Sequence, residues 1–190
     1  MEKNREQKNM QRQEAITARK ALDLEIRKKY SKTITEKLIA ESVFEKAGTI
    51  LSYQAFGEEA NPNEINAYAV SAGKRVAYPL CYAKGIMVAA IPEGEDAWEE
   101  GRYGIKTPVE SKSLILDPLE IDLVVVPCVA FEGKTKMRIG WGAGYYDRYL
   151  PQCKNAATIA IAFEAQHIEN LFFDPWDVPL DHVITEARRY

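Results

Sequence analysis

Residues 121–131, IDLVVVPCVAF, form an almost continuous apolar run in the second half of the chain. A strand that is apolar at nearly every position has both faces covered. This is typical of the centre of a parallel sheet that carries helices on its two sides. We therefore predict one central strand over residues 121–131 and an α/β protein built around it.

Other apolar segments extend the predicted sheet in both directions. Residues 48–56 (GTILSYQAF) and 158–164 (TIAIAFE) are predicted to be buried strands, and residues 182–185 a last edge strand. Residues 74–82 (KRVAYPLCY) predict a further strand, and residues 85–92 (GIMVAAIP) follow closely enough to be its hairpin partner.

Helices are predicted before and between these strands. Residues 1–46 contain no Pro or Gly and are rich in Lys, Arg and Glu, which is typical of helices. The predicted helices are 31 to about 46 (capped by Ser31 or Thr33), 63 to about 72 (begun by Pro62 and closed by Gly73), a helix after a glycine-rich loop to about Gln152, and 166–172. Helices that alternate with buried strands predict a three-layer α/β/α sandwich with a largely parallel, Rossmann-like sheet. We expect residues 1–190 to form a single domain.

Composition excludes several classes of protein. The net charge is −3, from 25 Lys and Arg against 28 Asp and Glu, whereas a nucleic-acid-binding domain is normally strongly basic. Cys81, Cys128 and Cys153 are widely spaced and the histidines are His167 and His182, so no zinc pattern is present. No signal-peptide core and no membrane-spanning apolar stretch is found. We therefore expect a cytoplasmic monomer with reduced thiols and no membrane partner.

The candidate functional motif is RIGWGAGYYDR at residues 138–148. Alternating glycines at 140, 142 and 144 let backbone amides approach an anion closely, because no Cβ blocks the approach. Arg138 and Arg148 flank the loop and supply charged donors. The glycines alone indicate only a generic anion site.

Two well-known phosphate loops do not fit this motif. A Walker loop needs a Lys followed by Ser or Thr, and none follows Gly144. A dinucleotide loop has GxGxxG directly after a strand, with an acid about 20 positions later. Glu164 imitates that acid, but the spacing here is GxGxG and Gly140 lies nine residues beyond Phe131. A nicotinamide site therefore remains only as an alternative.

The run PCVAF, followed by a polar turn and RIGWGAGYYDRYL, resembles the signature of the 5-formyltetrahydrofolate cyclo-ligase family. Three distant segments support the resemblance: the Lys8-to-Arg12 K-x-x-x-R pattern, residues 53–62 (YQAFGEEANP), and AIAFEAQ with WDVPLDHVITE towards the end of the chain. The chain departs from the family pattern at Gln11, Asn61, Pro62, Cys128, Ile139 and Ala143. The resemblance extends over nearly the whole chain.

The resemblance implies an enzyme that uses ATP and Mg²⁺ to convert 5-formyltetrahydrofolate into 5,10-methenyltetrahydrofolate, releasing ADP and phosphate. The γ-phosphoryl group would activate the formyl oxygen, and N10 of the folate would then close the ring. Phosphoryl transfer depends mainly on positioning and charge neutralisation, so the residues that hold the phosphates would matter most.

Site residues follow from the same resemblance. Lys8, Arg12 and Arg138 would neutralise the triphosphate, Arg138 and Tyr145 would act in catalysis, and Asp147 and Asp181 would hold Mg²⁺. The amides that would cradle the phosphates belong to Ile139, Gly140, Trp141, Gly142, Ala143, Gly144, Tyr145 and Tyr146. The folate would contact Tyr53, Glu59, Trp141 and Tyr145, and the segment with Trp98, Tyr103 and Pro108 could cover it.

The remaining alternatives are non-catalytic binding of a nucleotide or phosphosugar, a dinucleotide oxidoreductase, and a relative that keeps the nucleotide loop without folate turnover.

Overall fold

A seven-stranded sheet lies at the centre of the protein, which a computed structural model describes for residues 2–101 and 104–190. The strands are β1 (Thr49–Leu51), β2 (Arg75–Cys81), β3 (Met87–Pro92), β4 (Trp98–Glu100), β5 (Lys106–Pro108), β6 (Ser113–Leu116), β7 (Leu123–Pro127), β8 (Ala130–Phe131), β9 (Arg138–Ile139), β10 (Ala157–Ile161) and β11 (His182–Ile184). The α-helices are α1 (Glu2–Lys20), α2 (Leu24–Ile39), α3 (Ser42–Lys46), α4 (Asn63–Ser71) and α5 (Tyr145–Tyr149).

The order of strands in the main sheet is β11-β10-β7-β1-β2-β3-β6. The five strands from β11 to β2 pair in parallel, and β3 and β6 add an antiparallel end. β7 is the central strand of the parallel part, as its apolar sequence predicts. The expected hairpin of β2 with β3 and the edge position of β11 are also confirmed.

Helices cover both faces of the sheet. Leu123 and Val125 of β7 belong to a core cluster with Ile34 and Leu38 of α2 and Ile65 of α4. Val124 and Val126 belong to a second cluster, on the opposite face, together with Tyr149 of α5. Each buried Leu, Ile or Val contributes about 1.5–3 kcal/mol of hydrophobic free energy. This two-sided burial confirms the predicted α/β/α sandwich with a largely parallel sheet.

The prediction of one strand over residues 121–131 is wrong in its second half. Pro127 ends β7, because proline has no N–H with which to continue the ladder. Ala130 and Phe131 instead form β8, which pairs with β9 in a separate antiparallel ribbon. This ribbon leaves the carboxyl edge of the sheet and carries the glycine-rich loop with it.

The N-terminal helices differ from the prediction in their bounds. α2 begins at Leu24 because Asp23 accepts a hydrogen bond from the amide of Ile26 (2.8 Å), so neither Ser31 nor Thr33 caps it. The helical region is interrupted at residues 40–41 before α3. The helix predicted at 63 to about 72 is confirmed as Asn63–Ser71, with Pro62 at its N-cap.

The helix predicted over residues 166–172 is not formed. Only a 3-10 turn, Glu164–Gln166, is present, and the amide of Ile168 donates to the carbonyl of Phe131 (2.9 Å). This segment therefore extends the β8–β9 ribbon. The helix after the glycine loop is shorter than predicted: it ends at Tyr149, and the 3-10 turn Leu150–Gln152 follows.

α1 packs on the ribbon rather than on the main sheet. Its Ala15 lies in a third core cluster with Val129, Ala130, Ile139 and Leu171. Arg12 of α1 thereby reaches the glycine loop, where it donates to the carbonyl of Gly140. Within the described part of the chain, no helix is both long and apolar enough to cross a membrane.

Candidate active site

A cavity of about 1080 Å³ lies beyond the carboxyl end of β7. It is lined by every residue of the loop and helix segment 138–148, together with Lys8 and Arg12 of α1 and Glu59. Pockets for one small ligand typically measure about 300–1,000 Å³, so this cavity is as large as the largest of them. Residues that are remote in sequence therefore share one space.

The glycine loop offers its amides to this cavity. Gly142 (φ +98°) and Gly144 (φ +68°) have positive φ angles, which residues other than glycine rarely adopt. Within residues 2–101 and 104–190, none of the amides of residues 140–144 donates a hydrogen bond to a protein group. Unpaired amides on successive residues form an anion-binding nest. Since α5 has only five residues, these amides contribute more to anion binding than the dipole of the helix does.

Two arginines hold the loop by its carbonyl groups. Arg12 Nε donates to the carbonyl of Gly140 (2.8 Å). Arg148 Nη1 donates to the carbonyls of Ala143 (2.8 Å) and Gly144 (2.9 Å). Because these cations take up three of the loop carbonyls, fewer acceptors are left to compete with the loop amides for a ligand.

Arg138 is a buried cation in the wall of the cavity. Its side chain is 4% exposed, and Nη2 donates to Oδ1 of Asp147 at 3.0 Å. The guanidinium also lies 5.5 Å from the ring centroid of Tyr146. The ion pair and the ring fix the orientation of a charge that a phosphate group could meet.

Glu59 is the buried acid of the cavity. Its Oε2 accepts from the amide of Phe56 and its Oε1 from the indole nitrogen of Trp141, both at 2.9 Å. Burial raises the pKa of Glu59, and these two hydrogen bonds and the charge of Arg19 oppose the rise. Trp141 is half exposed and meets the ring of Phe56 edge-to-face at 5.6 Å. One loop side chain thus links the anion nest to the carboxylate.

Comparison with known proteins identifies the family of this chain. The model of the 5-formyltetrahydrofolate cyclo-ligase family matches residues 4–186. This chain belongs to the 5-formyltetrahydrofolate cyclo-ligase family.

Individual relatives support the assignment. The 5-formyltetrahydrofolate cyclo-ligase of Haemophilus influenzae is 35% identical over 88 residues, which are 45% of this chain and 46% of the relative, so the match spans about half of its length. The structure of the Mycoplasma pneumoniae 5,10-methenyltetrahydrofolate synthetase is 27% identical, with a TM-score of 0.77 over 94% of this chain and 98% of the other. That of the Aquifex aeolicus synthetase is 26% identical, with a TM-score of 0.83 over 96% and 91%.

Lys8 lines the cavity but already has two partners. Its Nζ donates to Asp177 (2.6 Å) and Asp174 (2.8 Å). Burial lowers the pKa of Lys8, but the hydrogen bonds and charges of the two carboxylates outweigh it, and the pKa is raised overall. Both aspartates also line the cavity. They were not predicted from the sequence, although the two aspartates of DPWD at residues 174–177 were a visible signal.

Asp181 lies elsewhere. Its Oδ2 accepts from the amide (2.8 Å) and hydroxyl (3.0 Å) of Thr158, just before β11. In parallel strands the amino ends share one edge of the sheet, and the cavity lies beyond the opposite edge. The structure therefore does not bring the two carboxylates predicted for Mg²⁺, Asp147 and Asp181, together. Among the described residues, no cluster of three or more His, Cys, Asp or Glu is placed to hold a metal ion.

The aromatic residues predicted for the folate are divided between cavity and core. Trp141 and Tyr145 line the cavity, and the hydroxyl of Tyr145 donates to the carbonyl of Tyr82 (3.0 Å). Tyr53 instead lies in the core, where its hydroxyl donates to the carbonyl of Ala60. It thus supports the turn that carries Glu59.

The segment predicted to cover the substrate forms a small hairpin of β4 and β5. Trp98 packs edge-to-face on Tyr78 at 4.9 Å, and neither it nor Pro108 is part of the cavity wall. Tyr103 lies outside the described residues.

Sequence reasoning also missed further cavity residues and one buried cation. Arg5, Asn9 and Trp176 contribute to the wall. Arg19, in the last turn of α1, is 1% exposed and lies 5.6 Å from the ring centroid of Trp141. Nothing in its sequence context separates it from the other basic residues of α1.

Proposed function

We propose that this protein catalyses the ATP-dependent cyclisation of 5-formyltetrahydrofolate to 5,10-methenyltetrahydrofolate. The observation that carries the proposal is one cavity in which free loop amides, Arg138 and Glu59 converge. A reaction between a triphosphate and a folate needs both ligands in one space. We expect a monomer to suffice, because a single chain supplies this whole wall, and we expect it to act in the cytoplasm.

The phosphates of ATP would lie on the glycine loop. The amides of residues 139–146 would donate to phosphate oxygens, and Arg12 and Arg138 would neutralise their charge. Lys8 adds a further cation at the same wall, although Asp174 and Asp177 already balance it.

The folate would lie beside Glu59 and Trp141. The pterin ring carries a donor-rich edge that a carboxylate suits, and flat rings stack on aromatic side chains. Because Trp141 belongs to the phosphate loop and contacts Glu59, the formyl group and the γ-phosphate would be held close together.

The reaction then runs in two displacements. The formyl oxygen attacks the γ-phosphorus, the bond to the bridging oxygen breaks, and ADP leaves. N10 next attacks the formyl carbon of the resulting iminium phosphate. The C–O bond breaks, phosphate departs with the former formyl oxygen, and the N10 proton is lost. Arg138 would stabilise charge on the transferring phosphoryl group, and Tyr145 would line the reacting centre.

Mg²⁺ would enter as part of the MgATP substrate. Asp147 is the predicted metal carboxylate that lines the cavity, and it is paired with Arg138. Since the described residues supply no full ligand set, nucleotide and water oxygens would provide most of the coordination.

The alternative of a dinucleotide site is not supported by the position of its acidic residue. Glu164, the residue that imitates the ribose-binding carboxylate, accepts from Tyr190 (2.6 Å) and Thr185 (2.7 Å) and does not line the cavity.

The proposal is tested by incubating purified protein with 5-formyltetrahydrofolate and MgATP and following the near-ultraviolet absorbance of the methenyl product. We expect absorbance to rise only when ATP is present, with ADP and phosphate formed in equal amounts to product. A folded protein that binds NADPH but shows no ATP-dependent rise would refute the proposal.

A further inference from the structure

Arg19, Glu59 and Arg138 are charged residues buried together around the cavity. Arg138 has its counter-ion in Asp147. Arg19 has no such ion pair among the described residues, and its Nε and Nη1 are buried without a hydrogen-bond partner there. An uncompensated buried charge is costly, so its position requires a physical reason.

The surroundings of Arg19 supply one. Its Cζ lies 5.6 Å from the centroid of Trp141, and the nitrogen of the same indole donates to Glu59. A buried cation and a buried anion therefore share one aromatic ring. A guanidinium over an indole is stabilised by the ring quadrupole, and more strongly when it is desolvated.

Three other titratable groups interact with Glu59, and none of them carries a positive charge. Tyr53, Tyr146 and Cys128 interact with Glu59, and burial raises the pKa of each of them, that of Cys128 to about 12. All three are neutral at physiological pH. Arg19 is the cation that opposes the rise in the pKa of Glu59. Arginine stays charged throughout the physiological pH range.

We propose that Arg19 is a positioning residue for Glu59: its charge, seated on the face of Trp141, keeps the carboxylate ionised for the donor-rich edge of the folate. This inference rests on the proposed function. It assigns a role to a side chain that does not line the cavity itself.

The test measures binding of 5-formyltetrahydrofolate by calorimetry, without ATP, from about pH 4 to about pH 9. Wild-type protein is compared with R19M, which removes the charge, and with R19K, which keeps it. Removing this opposite charge should move the acid limb of the binding profile to higher pH, by up to about one pH unit. At pH values below both limbs, R19M should therefore bind up to about tenfold more weakly, and at pH values well above them it should match the wild type.

The acid limb of R19K should lie between those of the wild type and R19M, because lysine can supply the charge but not the planar stacking of arginine on Trp141. Coincident profiles for R19M and wild type would overturn the inference, and so would an equal loss of affinity at every pH, which indicates structural damage alone. If R19M does not fold, R19Q takes its place, because it keeps planar N–H donors without the charge.

A second comparison identifies the titrating group. In an E59Q background the acid limb should disappear, and R19M should no longer shift the profile; a persistent shift would contradict the role of Glu59.

Wild-type protein that binds no 5-formyltetrahydrofolate at any pH would overturn the proposed function as well. Binding with an unmoved profile would overturn only the role of Arg19.

Discussion

Arg138 and Asp147 form an ion pair of 3.0 Å inside the cavity, nine residues apart across the glycine loop. The loop is therefore closed by a charge pair at its two ends. The pair holds a buried guanidinium in the wall of the same cavity that the loop lines. Such preorganised charge is the main source of catalysis in phosphoryl transfer.

Replacement of Arg138 by alanine should lower ATP-dependent formation of the methenyl product by about 100-fold, because a preorganised donor to the transferring phosphoryl group is lost. The matched control is R189A, which removes the half-exposed ion pair of Arg189 with Glu41 (3.1 Å). That variant should stay within about twofold of wild-type activity. Full activity of R138A would show that Arg138 is not part of the catalytic site.

Substitution of Gly142 by alanine should weaken ATP binding and lower the free energy of unfolding by about 1–2 kcal/mol, since Gly142 has φ +98°. The control is G48A, where a Cβ would meet Asp122 at an ordinary 3.5 Å and φ is not in the strained region. Calorimetric titration with ATP and urea unfolding measure both effects. Equal ATP affinity for G142A and wild type would argue against phosphates on this loop.

Glu59→Gln should raise the KM for 5-formyltetrahydrofolate by at least about tenfold, since hydrogen bonds to a charged group are worth about 1.5–3 kcal/mol. The Kd for ATP should not change. Glu58→Gln is the control, because the neighbouring carboxylate does not line the cavity. If E58Q and E59Q raise this KM alike, Glu59 is not the folate carboxylate.

Lys8→Met should weaken ATP binding for two reasons: a cation is lost, and Asp174 and Asp177 are left as unpaired acids in the cavity wall. The double variant K8M/D174N should recover part of the affinity, because one of the two unpaired charges is removed. Additive losses in the double-mutant cycle would contradict this coupling.

Glu164 should make stability depend on pH. Burial tends to raise the pKa of Glu164, but hydrogen bonds from Tyr190 and Thr185 and the charge of Arg188 outweigh it, so the pKa is lowered from 4.5. A carboxyl with a lowered folded pKa stabilises the protein above its unfolded pKa and loses this effect as pH falls through the folded value. The unfolding free energy of wild type should therefore exceed that of E164Q near neutral pH, and the difference should shrink below about pH 4.5. A difference that is independent of pH would contradict the sign.

Local sequence predicted the features that depend on local chemistry. β7 and the glycine loop lie where their patterns indicated, because apolar burial and alternating glycines act within a few residues. Pro127 was visible in the sequence, but the continuation of the apolar run past it concealed the switch from sheet to ribbon.

Features that depend on tertiary packing could not be predicted in the same way. Nothing near Tyr53 in the sequence shows whether its ring lies in the core or contacts a ligand. The edge of the sheet at which Asp181 lies follows only from strand topology. The partners of Lys8 are more than 160 residues away. Arg19 is one of several basic residues on α1, and its burial depends on the position of the loop that carries Trp141.

The most direct test of the central claim is a crystal structure of the protein with a non-hydrolysable ATP analogue and 5-formyltetrahydrofolate. We expect phosphate oxygens against the amides of residues 139–146 and beside Arg138, with the pterin edge at Glu59 and the formyl oxygen facing the γ-phosphate. Phosphates bound away from residues 138–148, or a folate bound outside the cavity, would contradict it.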